Sequence, residues 1–227
     1  MTSPSEENER RVTPAMEDYL KAIYLIQQHT DSVTTSLLAE QLGGLKPGSV
    51  TGMVKKLAEA QLVTHTPYYG VRLTPAGERI ALEVIRHHRL IELYLVEALG
   101  YSWDEVHEDA DALEHVISEL LEERIAAALG QPTLDPHGDP IPTVEGVMPD
   151  SSQMCIADLI VGNRRRIVRV SEQQADRLRY LADLGLVPGA DVEVTESAPF
   201  DGPISVWVAG QFHALDRRLA RTIFVEP

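Results

Sequence analysis

The chain has 227 residues, 44% hydrophobic and 24% charged, the make-up of an ordinary globular protein long enough for two or three small domains. No run of about eighteen apolar residues occurs, Met1–Arg11 lacks the apolar centre of a signal peptide, and Cys155 is the single cysteine, so a soluble cytoplasmic chain without membrane span or disulfide framework is expected. The net charge of −15 argues against a uniformly basic nucleic-acid binder, but the charge is unevenly placed. From Gly44 to Arg79 five basic residues face two acidic ones; from Ile80 to Gly130 twelve acidic residues face three basic ones.

Residues 1–12 lack hydrophobic periodicity and read as a disordered arm. Thr13-Pro14 opens a helix, with Thr13 as N-cap, Pro14 at its first position and Met16, Tyr19, Leu20, Ile23 and Tyr24 at helical spacing. A second helix starts at Thr34 or Thr35 and stops at Gly43-Gly44; a third runs from near Pro47 to about Ala60. Leu62–Thr66 and Val71–Leu73 flank a glycine-containing turn and predict a hairpin. Thr74-Pro75 then starts a long helix to about Leu99, and further helices begin near Ser102 and end at Gly130. Five prolines between Gln131 and Ser152 mark a linker at 131–152. Beyond it, Arg166–Val170, Asp191–Thr195, Ile204–Val208 and Thr222–Val225 read as strands of a small barrel, with a helix from about Glu172 to Leu184.

The fold class is therefore mainly α with small β. A winged helix-turn-helix spans 13–74, a helical domain 75–130, and a small β-barrel 153–227. In a winged helix-turn-helix the third helix enters the major groove with its N-terminal residues at the base edges. Lys46, Pro47, Ser49 and Thr51 occupy that end, Lys55 and Lys56 follow at phosphate-contacting positions, and Tyr69 and Arg72 belong to the wing. The competing reading of the same pattern is a packed helical domain with no nucleic-acid partner.

The acidic helices carry the sharper pattern. His88 and Glu92 are spaced i, i+4, and His107, Asp111, Glu114 and His115 fall within an arc of about 100° on one helix, beside the apolar stripe Val106, Ala110, Leu113 and Ile117. Two imidazoles and two carboxylates on one arc repel or stay hydrated unless a cation uses them as ligands, and such N/O donors suit first-row divalent metals. A solvated acidic face is the simpler alternative. No glycine-rich phosphate loop, H-E-x-x-H run or nucleophile elbow is present, and Cys155 has no base partner at sequence level, so an enzyme is not expected.

Several stretches together resemble the iron- and manganese-dependent repressors of the diphtheria-toxin-repressor and manganese-transport-regulator type. They are Pro14–Leu20, Ser49–Thr51, Leu73–Gly77, His88–Leu90, Trp103–His107, Glu114-His115 and Gly138–Pro142. The stretch Leu184–Gly189 is similar to the SH3-like domain of ferrous-iron-transport accessory proteins. The resemblance implies a homodimer that binds double-stranded operator DNA when loaded with metal. It implies a primary site of Asp18, Asp111, Glu114 and His115. A second site would comprise His88, Glu92 and His107, to which the C-terminal domain adds Glu172 and Gln173 or Gln174. Iron-type members carry methionine and cysteine at the positions of Asp18 and Asp111, whereas manganese-type members carry carboxylates there; the implied ion is Mn²⁺, with Fe²⁺ as the alternative. Lys21 stands where manganese-type members carry a glutamate, while His107 and the third domain resemble the iron type. A metal-independent winged-helix regulator remains the alternative of a different class.

Overall fold

The structure is a computed structural model that describes residues 12–30, 32–66, 70–150, 154–172 and 174–227. The expected arm, except Val12, lies outside the described residues, as do Tyr69 of the wing and Gln173. The chain divides into two compact units, Met1–His87 with Pro142–Val147 and His88–Ile141 with Met148–Pro227.

In the first unit, α1 (Pro14–Gln27) has Pro14 in its opening turn and buries Met16, Tyr19, Leu20, Ile23 and Tyr24, one stripe at helical spacing. Thr13 caps it through backbone geometry alone, without a side-chain bond. For α2 (Thr35–Gln41) the N-cap is Thr34, whose hydroxyl accepts the Leu37 N–H at 3.2 Å. The third helix, α3 (Pro47–Glu59), buries Val50, Val54 and Leu57 and leaves its other face to solvent. Strands β1 (Val63–Thr66) and β2 (Gly70–Leu73) form the expected antiparallel hairpin. It is anchored by Val71 N–H donating to Val33 O at 2.9 Å and Leu73 N–H donating to Gln27 Oε1 at 3.1 Å. Helix, helix, helix and hairpin follow in the order the pattern predicts. The long helix α4 (Pro75–Leu99) starts against this core: a Cβ on Gly77 would lie 2.0 Å from Leu62 O, so only glycine fits the approach.

The second unit begins within α4. Two short helices follow, α5 (Val106–Leu113) and α6 (Glu119–Ala128), the latter capped by Ser118 accepting the Leu121 N–H. The predicted helix near Ser102 therefore opens only at Val106. It closes at Leu113, and Glu114 and His115 sit in the turn that continues it, with Glu114 N–H still donating to Ala110 O at 2.9 Å. Ile91, Leu95, Val106 and Ala110 pack as one small core, and Leu90, Ile125, Ala126 and Ile141 as another.

Residues 131–142 contain no helix or strand, as their prolines require. They are nevertheless folded in: Asp135, His137 and Ile141 are buried, and Gly138, at φ +84°, approaches so closely that a Cβ would lie 2.0 Å from Val168 O.

The C-terminal domain is an antiparallel sheet with strand order β3-β8-β4-β5-β6-β7. Its strands are β3 (Met154–Cys155), β4 (Arg164–Val170), β5 (Asp191–Ser197), β6 (Ile204–Val208), β7 (Gln211–Leu215) and β8 (Ile223–Val225). The expected barrel is not closed: β3 and β7 are the two edges, and among the described residues no pairing joins them. The two-residue β3 is too short to carry a ladder round to β7, and it runs straight into a 3₁₀ turn (Ile156–Asp158) against which α8 (Arg217–Arg221) packs. The core holds Ile167, Val170, Val192, Val206 and Ile223 from the strands and Leu178 and Leu181 from α7 (Ala175–Asp183), and Trp103 packs against it. Strand β7 is absent from the sequence reading. Its hairpin with β6 turns at Ala209-Gly210, both at positive φ, and alanine at the first position hides the turn.

Candidate metal centre and nucleic-acid interface

The second unit gathers an unusual set of donors. His88 and Glu92 project from one face of α4, 4% and 3% exposed, and meet His107 and Asp111 from α5 and Glu114 from the turn after it. His88 lies at the centre. Its Nδ1 is 2.5 Å from Glu114 Oε2 and 3.2 Å from Asp111 Oδ1; its Nε2 is 3.0 Å from both Glu92 Oε1 and His107 Nδ1. His107 Nδ1 is in turn 3.2 Å from Glu92 Oε1, and His107 Nε2 is 3.5 Å from Asp111 Oδ2. His115 Nε2 stands 3.5 Å from Glu114 Oε1.

Glu114 Oε2 lies closest to His88 Nδ1 and Asp111 Oδ2 lies beside His107 Nε2, so His88 Nε2 and His107 Nδ1 are the ring nitrogens turned toward Glu92 Oε1. A carboxylate that holds the far side of an imidazole orients it and raises its basicity toward a metal. The three inward atoms stand 3.0, 3.0 and 3.2 Å apart. That is the separation of adjacent ligands round an octahedral ion with bonds of about 2.1–2.2 Å. Two imidazoles and one carboxylate in this arrangement fit a divalent first-row ion. Burial pushes the Glu92 carboxyl up. The charge of His88, hydrogen bonds from His107 and His88, and the charge of His137 outweigh it and hold Glu92 well below the usual carboxylate range.

The proline-rich stretch adds two residues that sequence reasoning missed. His137 is 5% exposed; its Nε2–H donates to Trp103 O at 2.8 Å, and its Nδ1 faces Glu92 Oε2 at 3.8 Å. Asp135 accepts the His137 and Asp139 N–H groups at 2.8 and 2.9 Å, and its other oxygen faces Arg89 Nε at 3.7 Å. Burial, then the charges of Asp139 and Glu92, raise the Asp135 carboxyl well above its ordinary value against the pull of Arg89. The motif Asp135-Pro-His137 between prolines carried the only signal, and nothing local distinguishes it from a spacer. A cavity of about 20 Å³, room for one water-sized particle, is lined by His88, Glu92, His107, Asp135, His137 and Glu172 among others. Glu172 thus reaches this space from the C-terminal domain, held by Gln174 N–H at 3.1 Å and Arg177 Nη1 at 3.0 Å. Gln174 is exposed at the N-cap of α7 and does not line the cavity. Asp18 is half-buried on α1, in the first unit.

Cys155 lies apart from these groups, its Sγ 2.9 Å from Asp158 Oδ2, and burial followed by the Asp158 carboxylate pushes the thiol up, so it is not a ready thiolate.

In the first unit, Lys46, Pro47, Ser49, Thr51, Lys55 and Lys56 are all exposed, at the N-cap or along α3, whose buried residues are Val50, Val54 and Leu57. Thr51 donates its hydroxyl to Pro47 O at 2.9 Å. Arg72 is exposed on β2.

The family described as the iron dependent repressor, N-terminal DNA binding domain matches residues 11–71, and the iron dependent repressor, metal binding and dimerisation domain matches 74–143. The chain belongs to the iron-dependent repressor family. A FeoA domain matches residues 154–227, so the family's three parts account for nearly the whole sequence. The iron-dependent repressor IdeR of Mycobacterium tuberculosis is 32% identical over 222 residues, covering 92% of this chain and 96% of that protein. The diphtheria toxin repressor of Corynebacterium diphtheriae is 28% identical over 220 residues, with the same coverages of 92% and 96%. Among solved structures, a manganese-dependent transcriptional repressor in complex with manganese superposes with a TM-score of 0.85 at 39% identity, covering 92% of this chain and 98% of that one. The manganese regulator SloR does so with a TM-score of 0.80 at 30% identity, covering 95% and 99%. As a member of this family the chain is a metal-dependent transcriptional repressor with DNA-binding and dimerisation domains. None of its described helices is long and apolar enough to cross a membrane.

Proposed function

We propose that this repressor is manganese-responsive, and that its dimer binds operator DNA when Mn²⁺ occupies two places. One is a primary site of Asp18, Asp111, Glu114 and His115; the other is an ancillary site of His88, Glu92 and His107 with Glu172 beside it. The observation that carries the reading is the donor set. Every candidate ligand offers oxygen or imidazole nitrogen, and the chain's one thiol, Cys155, is engaged elsewhere with Asp158. Hard donors favour Mn²⁺ relative to sites that recruit sulfur. Solved structures similar to this chain are named for manganese, while the similar repressor of Mycobacterium tuberculosis is named for iron; the ligands of this chain favour the former.

In this reading the metal at the primary site ties Asp18 of the DNA-binding domain to the dimerisation domain. That sets the spacing of the two recognition helices, which half-sites about one helical turn apart demand. Removing that freedom raises the fraction of dimers competent to bind. In the same reading Lys46, Pro47, Ser49 and Thr51 serve the base edges and Lys55, Lys56 and Arg72 the phosphates, with Tyr69 of the wing assigned to the phosphates from the sequence alone. Glu114 serves twice, as a primary ligand and as the partner that orients His88 toward the ancillary ion.

The test is binding to the DNA upstream of the protein's own gene, in chelator, in buffered Mn²⁺ and in buffered anaerobic Fe²⁺. Binding that needs metal and appears at lower free Mn²⁺ than is normal for its weaker place in the affinity series supports the proposal. Activation by Fe²⁺ alone would assign the repressor to iron, and binding unchanged by chelator would make it a metal-independent regulator.

A further inference from the structure

Three imidazole nitrogens converge on one carboxylate, and only two of them belong to the ancillary site. His88 Nε2 and His107 Nδ1 face Glu92 Oε1 at 3.0 and 3.2 Å; His137 Nδ1 faces Glu92 Oε2 at 3.8 Å from the opposite side. His137 Nε2–H donates to Trp103 O at 2.8 Å, which turns Nδ1 toward Glu92. At 3.8 Å this contact is too long for a hydrogen bond, and both groups are buried, 5% and 3% exposed. A carboxylate oxygen of Asp135 lies within 4.8 Å of both. The side chains around this second trio are already committed. Asp139 Oδ1 is bound by Arg169 at 3.1 Å, and the Glu172 oxygens by Gln174 N–H and Arg177.

We propose that Glu92 is a bridging ligand between two divalent ions, one held by its Oε1 with His88 and His107, the other by its Oε2 with His137 and Asp135. The second ion replaces the 3.8 Å contact between His137 and Glu92 with two coordinate bonds and joins Arg89 in compensating the buried Asp135. A carboxylate whose two oxygens face two separate ligand sets is the arrangement by which paired-metal sites hold their ions together. Trp103 O and the backbone N–H groups of His137 and Asp139 form the outer shell that aims His137 and Asp135 at the site. The proposal rests on the ancillary ion of the previous section, and the test separates the two.

Mn²⁺ binding to the full chain is measured by equilibrium dialysis with metal analysis, beside electron paramagnetic resonance of the loaded protein. The variants are His107→Ala, His137→Phe and Asp135→Asn. Phenylalanine keeps a ring against Trp103, and asparagine keeps an oxygen for the two amides, so a folding failure of one leaves the other as the test. The expected result is that His137→Phe and Asp135→Asn each lose one Mn²⁺ per chain, or bind it at least about tenfold more weakly. Both should also lose a spin-coupled Mn²⁺ pair signal that the unaltered chain shows. If both keep the full count while His107→Ala loses one ion, the ancillary site stands and the bridge is overturned. An unchanged count in His107→Ala overturns the ancillary ion and the bridge with it.

Discussion

Gly52 occupies an exposed position on α3, and a Cβ there would meet nothing within 4 Å. No packing demands glycine at this point, while glycine inside a helix costs about 1 kcal/mol relative to alanine. A helix face that must lie close to a groove wall supplies the missing reason. Gly52→Ala should raise the melting temperature by about 2–4 °C and weaken operator binding by about tenfold, about 1.4 kcal/mol; stabilisation with undiminished DNA affinity would remove Gly52 from the interface. Asp18 poses the complementary case. Asp18→Ala should leave the circular dichroism unchanged and weaken metal-dependent DNA binding at least about tenfold, the scale of a lost metal-site contact. Normal activation by metal would sink the proposed tether.

Among the elements, the stretch 131–142 does most with least regular structure. It holds no helix or strand, only an isolated bridge of Leu134 to Pro140, yet it seats Asp135 and His137 beside Glu92, receives Arg89 on Pro140 O, and joins β4 through Arg169, which also lies 3.8 Å over the Phe224 ring. Gly138 is where it touches β4, with φ +84° and no room for a Cβ. Gly138→Ala should therefore destabilise the second unit by at least about 2 kcal/mol in denaturant unfolding. It should also lower Mn²⁺ affinity with it, because the shift carries His137 and Asp135 away. A variant as stable as the parent would show that the close approach to Val168 is not maintained in solution.

At the scale of the whole molecule, a chain of net charge −15 must bind a polyanion through a locally basic face. Lys46, Lys55 and Lys56 are exposed together on and beside α3. If each contacts a phosphate in both protomers of the dimer, the logarithmic salt slope of operator binding is about −5, and the double change Lys55→Ala with Lys56→Ala reduces it to about −2. Titrations at several salt concentrations measure both slopes directly. Equal slopes would mean that these lysines face solvent and that the phosphates are met elsewhere. The acidic second unit, which by itself repels DNA, gains positive charge with every ion it takes up, so metal loading and operator affinity rise together.

What the sequence determined by itself is what local rules govern. Apolar spacing located α1 and α3, turn residues located the β1–β2 hairpin, and the i, i+4 pairs His88–Glu92 and His107–Asp111 meet because one helical turn brings them together. The tertiary structure alone decided the rest. His137 and Asp135 join Glu92 from more than forty positions away, through a segment whose composition reads as a spacer. The sheet stays open because β3 is two residues long, and β7 pairs through a turn whose alanine gives no local sign. Which nitrogen of each histidine points inward depends on Glu114, Asp111 and Trp103, partners chosen by packing. Periodicity describes one element at a time, whereas ligand geometry is set where several elements meet, and that meeting is decided by burial of the whole chain.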